Sequence, residues 1–165
     1  MFELKTLSRE AIPRSLAKAE HYRLLNEPTE AESICLDILQ IDPDDQRALI
    51  TLLLSLTDQF SSEFGLFLGR IQELLPRIRG EYEKAYYAGL VCERRAKARL
   101  HQGGPGARSG AYQYFREAMI MYEKAEALSP PDNDDATLRW NTCARIMMRN
   151  HLQAEPEDRI ELPLE

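Results

Sequence analysis

The chain has 165 residues, 44% of them apolar and 29% charged, with a formal net charge of −6. That length and apolar share suffice for one domain with a buried core. The acidic balance excludes general attraction to nucleic acid or anionic membrane as the default mode, and the longest apolar run, Leu52-Leu53-Leu54, is too short to cross a bilayer.

The opening residues, Met1 to Lys5, lack a basic stretch followed by an apolar run, so no secretory leader is expected. Pro13 suits a first helical position, where its missing N–H costs nothing, and predicts a helix from about Pro13 to Leu25. Asn26-Glu27-Pro28 reads as a turn. Thr29, with Glu32 three residues on, reads as a capping box opening a second helix. That helix buries Ala31, Ile34, Cys35, Ile38 and Leu39 and stops at Pro43. A third helix is expected from Asp44 or Asp45 through Leu49, Leu52, Leu53 and Leu56. A fourth runs from about Ser62 to Ile78 through Phe64, Phe67, Leu68, Ile71 and Leu75, where Gly65 and Gly69 suggest close helix packing.

A long fifth helix is predicted from Glu81 to His101, followed by a loop over residues 102–108. The sixth helix opens at Ser109 or Gly110, carries Tyr112, Phe115, Ala118, Met119, Tyr122 and Ala125, and ends before Pro130-Pro131. A seventh spans about Asp134 to Leu152, with Ala136, Trp140, Cys143, Ala144 and Met147 on one stripe. No alternating β-branched run suggests a strand, so the chain reads as all-α. Residues 153–165 form an acidic, proline-broken C-terminal tail. Cys35, Cys92 and Cys143 are odd in number and far apart, the usage of reduced, buried cysteines in a cytoplasmic protein.

One spaced pattern occurs twice. Ala31, Cys35, Ile38 and Pro43 recur 87 residues later as Ala118, Tyr122, Ala125 and Pro130. Upstream of each lies a small residue followed three later by Tyr or Cys: Ala19 then Tyr22, Gly89 then Cys92. On these residues the chain resembles the tetratricopeptide repeat (TPR) family, whose unit of about 34 residues is a helix pair with small and aromatic residues at fixed offsets and a closing proline. The first unit, 12–45, fits at Ala19, Tyr22, Ala31 and Pro43. The third, 80–131, fits at Gly89, Ala118, Tyr122, Ala125 and Pro130, with 17 extra residues between Gly89 and Ala118 relative to Ala19 and Ala31. The second, 46–79, departs, with Leu53 at the small site. The chain is also similar to small bacterial repeat proteins of unassigned function.

The resemblance implies a right-handed α-solenoid of about three TPR-like helix pairs over residues 1–152, closed by a capping helix at 134–152. It also implies that the first helix of each pair lines a concave groove. Carried onto this chain, the groove positions are Leu16, Glu20 and Arg23, then Arg47, Ile50, Thr51 and Leu54, then Tyr86, Tyr87, Leu90 and Arg94, with Asn141 and Arg145 from the capping helix. The chaperone-binding members grip a terminal carboxylate with lysine, asparagine and arginine. Here Leu16, Glu20 and Thr51 stand at the corresponding positions, and Glu20 argues against that partner class.

A second candidate is the extended hairpin. Residues 94–116 carry Arg94, Arg95, Lys97, Arg99, Arg108 and Arg116 with no Asp or Glu among them, which leaves the rest of the chain at −12. Such a face suits an acidic protein surface, or a solvated face paired with acidic residues nearby.

Chemistry is weakly signalled. His21, His101 and His151 have no His or Cys at metal-ligand spacing, the acidic runs 42–45 and 132–135 lack a calcium-loop pattern, and no Ser or Cys sits in a nucleophile motif. Gly103-Gly104-Pro105-Gly106 lacks the lysine and preceding strand of a phosphate loop. No metal or cofactor is expected. The sequence therefore points to a non-catalytic scaffold or adaptor that binds a protein, peptide or helix in a concave groove. The alternative is a homo-oligomer or a subunit of a larger assembly docking through the basic hairpin; a nucleic-acid binder or enzyme is less favoured.

Overall fold

The computed structural model describes residues 1–154, with the side chains of residues 61–66 outside the description. Among the described residues there are seven α-helices and no strand: α1 (Ile12–Leu24), α2 (Pro28–Ile41), α3 (Gln46–Asp58), α4 (Phe60–Leu74), α5 (Glu81–Gln102), α6 (Ala107–Leu128) and α7 (Asp135–Arg149). Short 3₁₀ turns precede α1 and follow α4. Helices adjacent in sequence are adjacent in space, and the pair α5–α6 makes the largest interface; α3 also touches both α1 and α5.

The sequence signals set most helix ends. Asn26 adopts φ 59° after α1, and Glu27 N–H returns to the Tyr22 carbonyl at 2.9 Å, a left-handed stop that suits asparagine. The capping box is a correction: Pro28 is the first residue of α2, not part of the turn, and no side chain caps that end. Proline at this position has no N–H to satisfy. Glu32 instead reaches α4, accepting from Arg70 Nη1 at 2.6 Å, and Gln59 Nε2 at 2.8 Å. At α3 a side-chain cap is present, Asp45 accepting from Ala48 N–H at 2.9 Å.

Gly69 is a second correction. Open space lies where its Cβ would stand, so no helix packs there; Phe64 and Gly65 fall outside the described side chains. The close approach is at Gly89 instead: a Cβ there would lie 2.8 Å from a Tyr122 ring carbon and 3.2 Å from the Ala118 carbonyl oxygen. Glycine thus lets α5 lie against α6.

Two main core clusters meet along α5. One gathers Ala19, Ala31, Cys35, Leu49, Leu53, Leu56 and Ile71 from α1 to α4 with Val91 of α5. The other gathers Ala96 of α5 with Phe115, Ala118, Tyr122 and Ala125 of α6 and Ala136 and Cys143 of α7. A smaller cluster holds Ile12, Leu16, Ile38 and Ala48. The tail from 155 to 165 lies outside the described residues.

Candidate functional site

On α3 the residues Arg47, Thr51, Leu54 and Asp58 recur at spacings of four, three and four, which places them on one stripe. This stripe is tied to both neighbours by charge. Arg47 Nη2 donates to Glu20 Oε1 of α1 at 2.8 Å. Asp58 receives two arginines: Arg23 Nε of α1 at 2.9 Å on Oδ2, and Arg94 Nη1 of α5 on Oδ1. The Arg23, Asp58 and Arg94 side chains keep 21%, 17% and 26% of their surface, so the junction is reachable from solvent. Glu20 therefore does not stand as a bare repulsive charge, because Arg47 neutralises it.

The other groove candidates divide. Thr51 and Leu90 are 4% and 2% exposed and belong to the interior, so they offer a partner no surface. Leu16 is likewise buried. Leu54 and Tyr87 are half-buried at the edge of the first core cluster. Tyr86 packs at the edge of the second, in edge contact with Tyr87 (centroids 5.2 Å apart), stacked on Tyr82 (5.7 Å) and tilted against Tyr122 (5.9 Å). Burial raises the phenol pKa of Tyr82 and of Tyr87, so both stay neutral hydrogen-bonding groups at ordinary pH. Asn141 is half-buried and Arg145 is exposed on α7.

A second junction lies on α5 at the residue immediately before Arg94. Glu93 is fully buried, yet it accepts from Tyr122 Oη at 2.6 Å, from Arg139 Nη1 of α7 at 3.3 Å, and from Lys97 Nζ. A buried carboxylate is tolerable only when paired and hydrogen-bonded in this way. Burial, reinforced by the Glu93 charge, pushes the Tyr122 phenol far above its ordinary value. Burial alone would lower the Arg139 pKa, but Glu93 and Tyr86 more than offset it.

The basic hairpin is internally engaged. Besides Arg94 and Lys97, Arg95 lies 4.1 Å over the Tyr114 ring and donates to its hydroxyl at 2.9 Å. Arg99 ties the glycine loop by donating to the Pro105 carbonyl at 2.9 Å. Arg108 donates to the carbonyls of Asn150 and His151 at the end of α7, the latter at 3.0 Å. Arg116 is exposed.

Burial raises the thiol pKa of Cys35 and Cys143 to about 12 and of Cys92 to about 11, with Glu117 adding to the last. All three are free; Cys35 and Cys143 are buried, but Cys92 is half-exposed, against the expectation of burial. Among the described residues no three His, Cys, Asp or Glu side chains gather to hold a metal ion, and no helix is long and apolar enough to cross a membrane.

Sequence reasoning missed Asp58 and Glu93. Asp58 continues the stripe of Arg47, Thr51 and Leu54, which was its available signal. Glu93 stands immediately before the run counted as purely basic, four residues from Lys97. The chain matches no protein-family model, no curated protein and no solved structure.

Proposed function

We propose that this chain is a non-catalytic protein-interaction module, a TPR-like right-handed α-solenoid whose first helices of each pair present a binding face to a peptide or helix. The packing of each helix on its neighbours supports the solenoid reading. So does the seat of Gly89 against Tyr122, a small residue meeting an aromatic of the paired helix. The observation that carries the functional reading is the ion-pair row from Glu20–Arg47 to Arg23–Asp58–Arg94, which joins α1, α3 and α5 side by side on the stripe that also holds Leu54. Side chains from three helices thereby share one semi-exposed surface, combining arginines with half-buried apolar groups, the mixture typical of binding anchors.

Assembly through the basic hairpin 94–116 has less support, because its cations are dispersed over separate neighbours, Arg95 on Tyr114, Arg99 on the glycine loop and Arg108 on the end of α7, rather than gathered with apolar groups on one face.

The test exchanges the exposed pair, Arg47→Glu with Glu20→Lys, which keeps the two groups attractive while inverting the pattern a partner meets. Capture from the native host followed by mass spectrometry should lose the protein retained by the unaltered chain, with thermal unfolding unchanged. Retention of the same protein by the exchanged variant would remove this face as the binding surface.

A further inference from the structure

We infer that the face joining α1, α3 and α5 recognises an acidic segment, reading aspartate or glutamate side chains with Arg23 and Arg94. The inference rests on the interaction-surface reading above and adds the chemistry of the partner.

The argument begins with unequal pairing. At Asp58 two arginines share one carboxylate, and at Glu93 Lys97 and Arg139 do the same. Arg47 and Glu20 cancel one another. On the face itself Arg23, Arg47 and Arg94 meet only two carboxylates, Glu20 and Asp58, a surplus of one positive charge, and Lys97 of α5 with Arg139 of α7 leaves a second around Glu93, on a chain of net charge −6. Arg94 and Lys97 are three apart on α5, hence neighbours on its surface, so the two surpluses adjoin.

Donor capacity points the same way. Arg23 gives Asp58 its Nε and Arg94 gives its Nη1; a guanidinium has two further nitrogens and five N–H donors in all. Asp58 also holds both side chains in place before any partner arrives. An incoming carboxylate therefore meets arginines whose ordering cost is already met within the fold, and its hydrogen bonds to them are charge-assisted. A nucleic acid is a poorer fit. It binds through a dense run of cations, one per phosphate, whereas here the surplus is two cations rather than a continuous row.

The probe is a set of fluorescein-labelled synthetic peptides with equal apolar content, amidated C-termini and net charge graded from acidic to basic, read by fluorescence anisotropy on the full chain. Amidation leaves only side-chain carboxylates to bind. Affinity should rise with acidity. Arg94→Gln or Arg23→Gln should weaken the acidic peptide about tenfold, the size of one charge-assisted bond, Arg94→Lys should retain part of it, and Arg116→Gln should change nothing. In the unaltered chain, the Nε–H resonances of Arg23 and Arg94 should shift during titration, a readout that does not depend on any variant folding. Binding that ignores peptide charge but responds to the Arg47/Glu20 exchange would overturn the acidic reading and leave the surface standing. Acidic binding that ignores both the exchange and the two arginine variants would overturn both. Failure of every peptide to bind, or tighter binding of a single-stranded oligonucleotide, would overturn the inference.

Discussion

Arg139 of α7 reaches the fully buried carboxylate of Glu93 on α5 at 3.3 Å, across 46 residues of sequence. Glu93 thus binds the last helix to the fifth through charge as well as through the apolar contacts of Ala136 and Cys143. Removing Arg139 leaves a carboxylate in the interior with one cation fewer. Arg139→Met should lower the free energy of unfolding by about 1–3 kcal/mol, measured by urea denaturation. Arg47→Met, which breaks an exposed pair with 66% of the arginine side chain in solvent, should cost under about 1 kcal/mol. Added salt should weaken the second contact and spare the first. Equal losses from the two variants would count against Glu93 as a buried anchor.

Gly89→Ala tests the seam between α5 and α6. A Cβ at 2.8 Å from the Tyr122 ring forces movement, and that ring is held by its hydroxyl on Glu93. Overpacking costs about 1–3 kcal/mol, against roughly 1 kcal/mol gained in helix propensity. The variant should therefore unfold at a lower temperature than the unaltered chain. An unchanged or raised midpoint would mean that Tyr122 can move aside.

The contrast at the two helix starts gives a third expectation. Asp45→Ala removes the acceptor for Ala48 N–H and should destabilise by about 1 kcal/mol. Thr29→Ala, at an end with no side-chain cap, should be close to neutral in the same urea titration. A comparable loss at Thr29 would restore the capping box.

The three thiols set an alkaline limit. Each has a pKa raised from 9.0, to about 12 at Cys35 and Cys143 and about 11 at Cys92. The folded chain holds these protons where the unfolded chain releases them. Stability from this source is full below pH 9 and falls as pH rises toward 11 and 12. Tyr122, raised further, adds to the loss at the top of that range. Urea midpoints should decline steadily from pH 9 upward. Iodoacetamide with mass spectrometry should modify half-exposed Cys92 before buried Cys35 and Cys143 in the folded chain. Faster modification of Cys35 would contradict its burial.

Much of the helix arrangement was legible because its signals are local. Pro43, Asp45 and Pro130 mark ends within one turn of themselves, and the stripes of α2 and α6 announce their buried faces by spacing alone. Pro28 was misread because proline serves equally as a turn residue and as a first helical residue, and only the backbone decides. The candidate surface was legible in part. The family resemblance placed Arg47, Leu54 and Arg94 on the binding face, but placed Thr51 and Leu90 there too, where neighbouring helices cover them. Asp58 draws its partners from residues 35 and 36 positions away, and Glu93 from residues 29 and 46 away. Such meetings follow from tertiary packing, so an apparently uniform basic run concealed cations already committed to carboxylates and carbonyls.

The helices α5 and α6 have 22 residues each, against 13 in α3 and 15 in α4. At 1.5 Å per residue, α5 outruns α3 by about 13 Å. Arg108, at the start of α6, is fastened to the far end of α7 through the Asn150 and His151 carbonyls. The last helix is consequently pinned to the α5–α6 pair at two places, the start of α6 and Glu93. A load placed on the glycine turn would be carried first by α7, and through Glu93 back to the middle of the molecule.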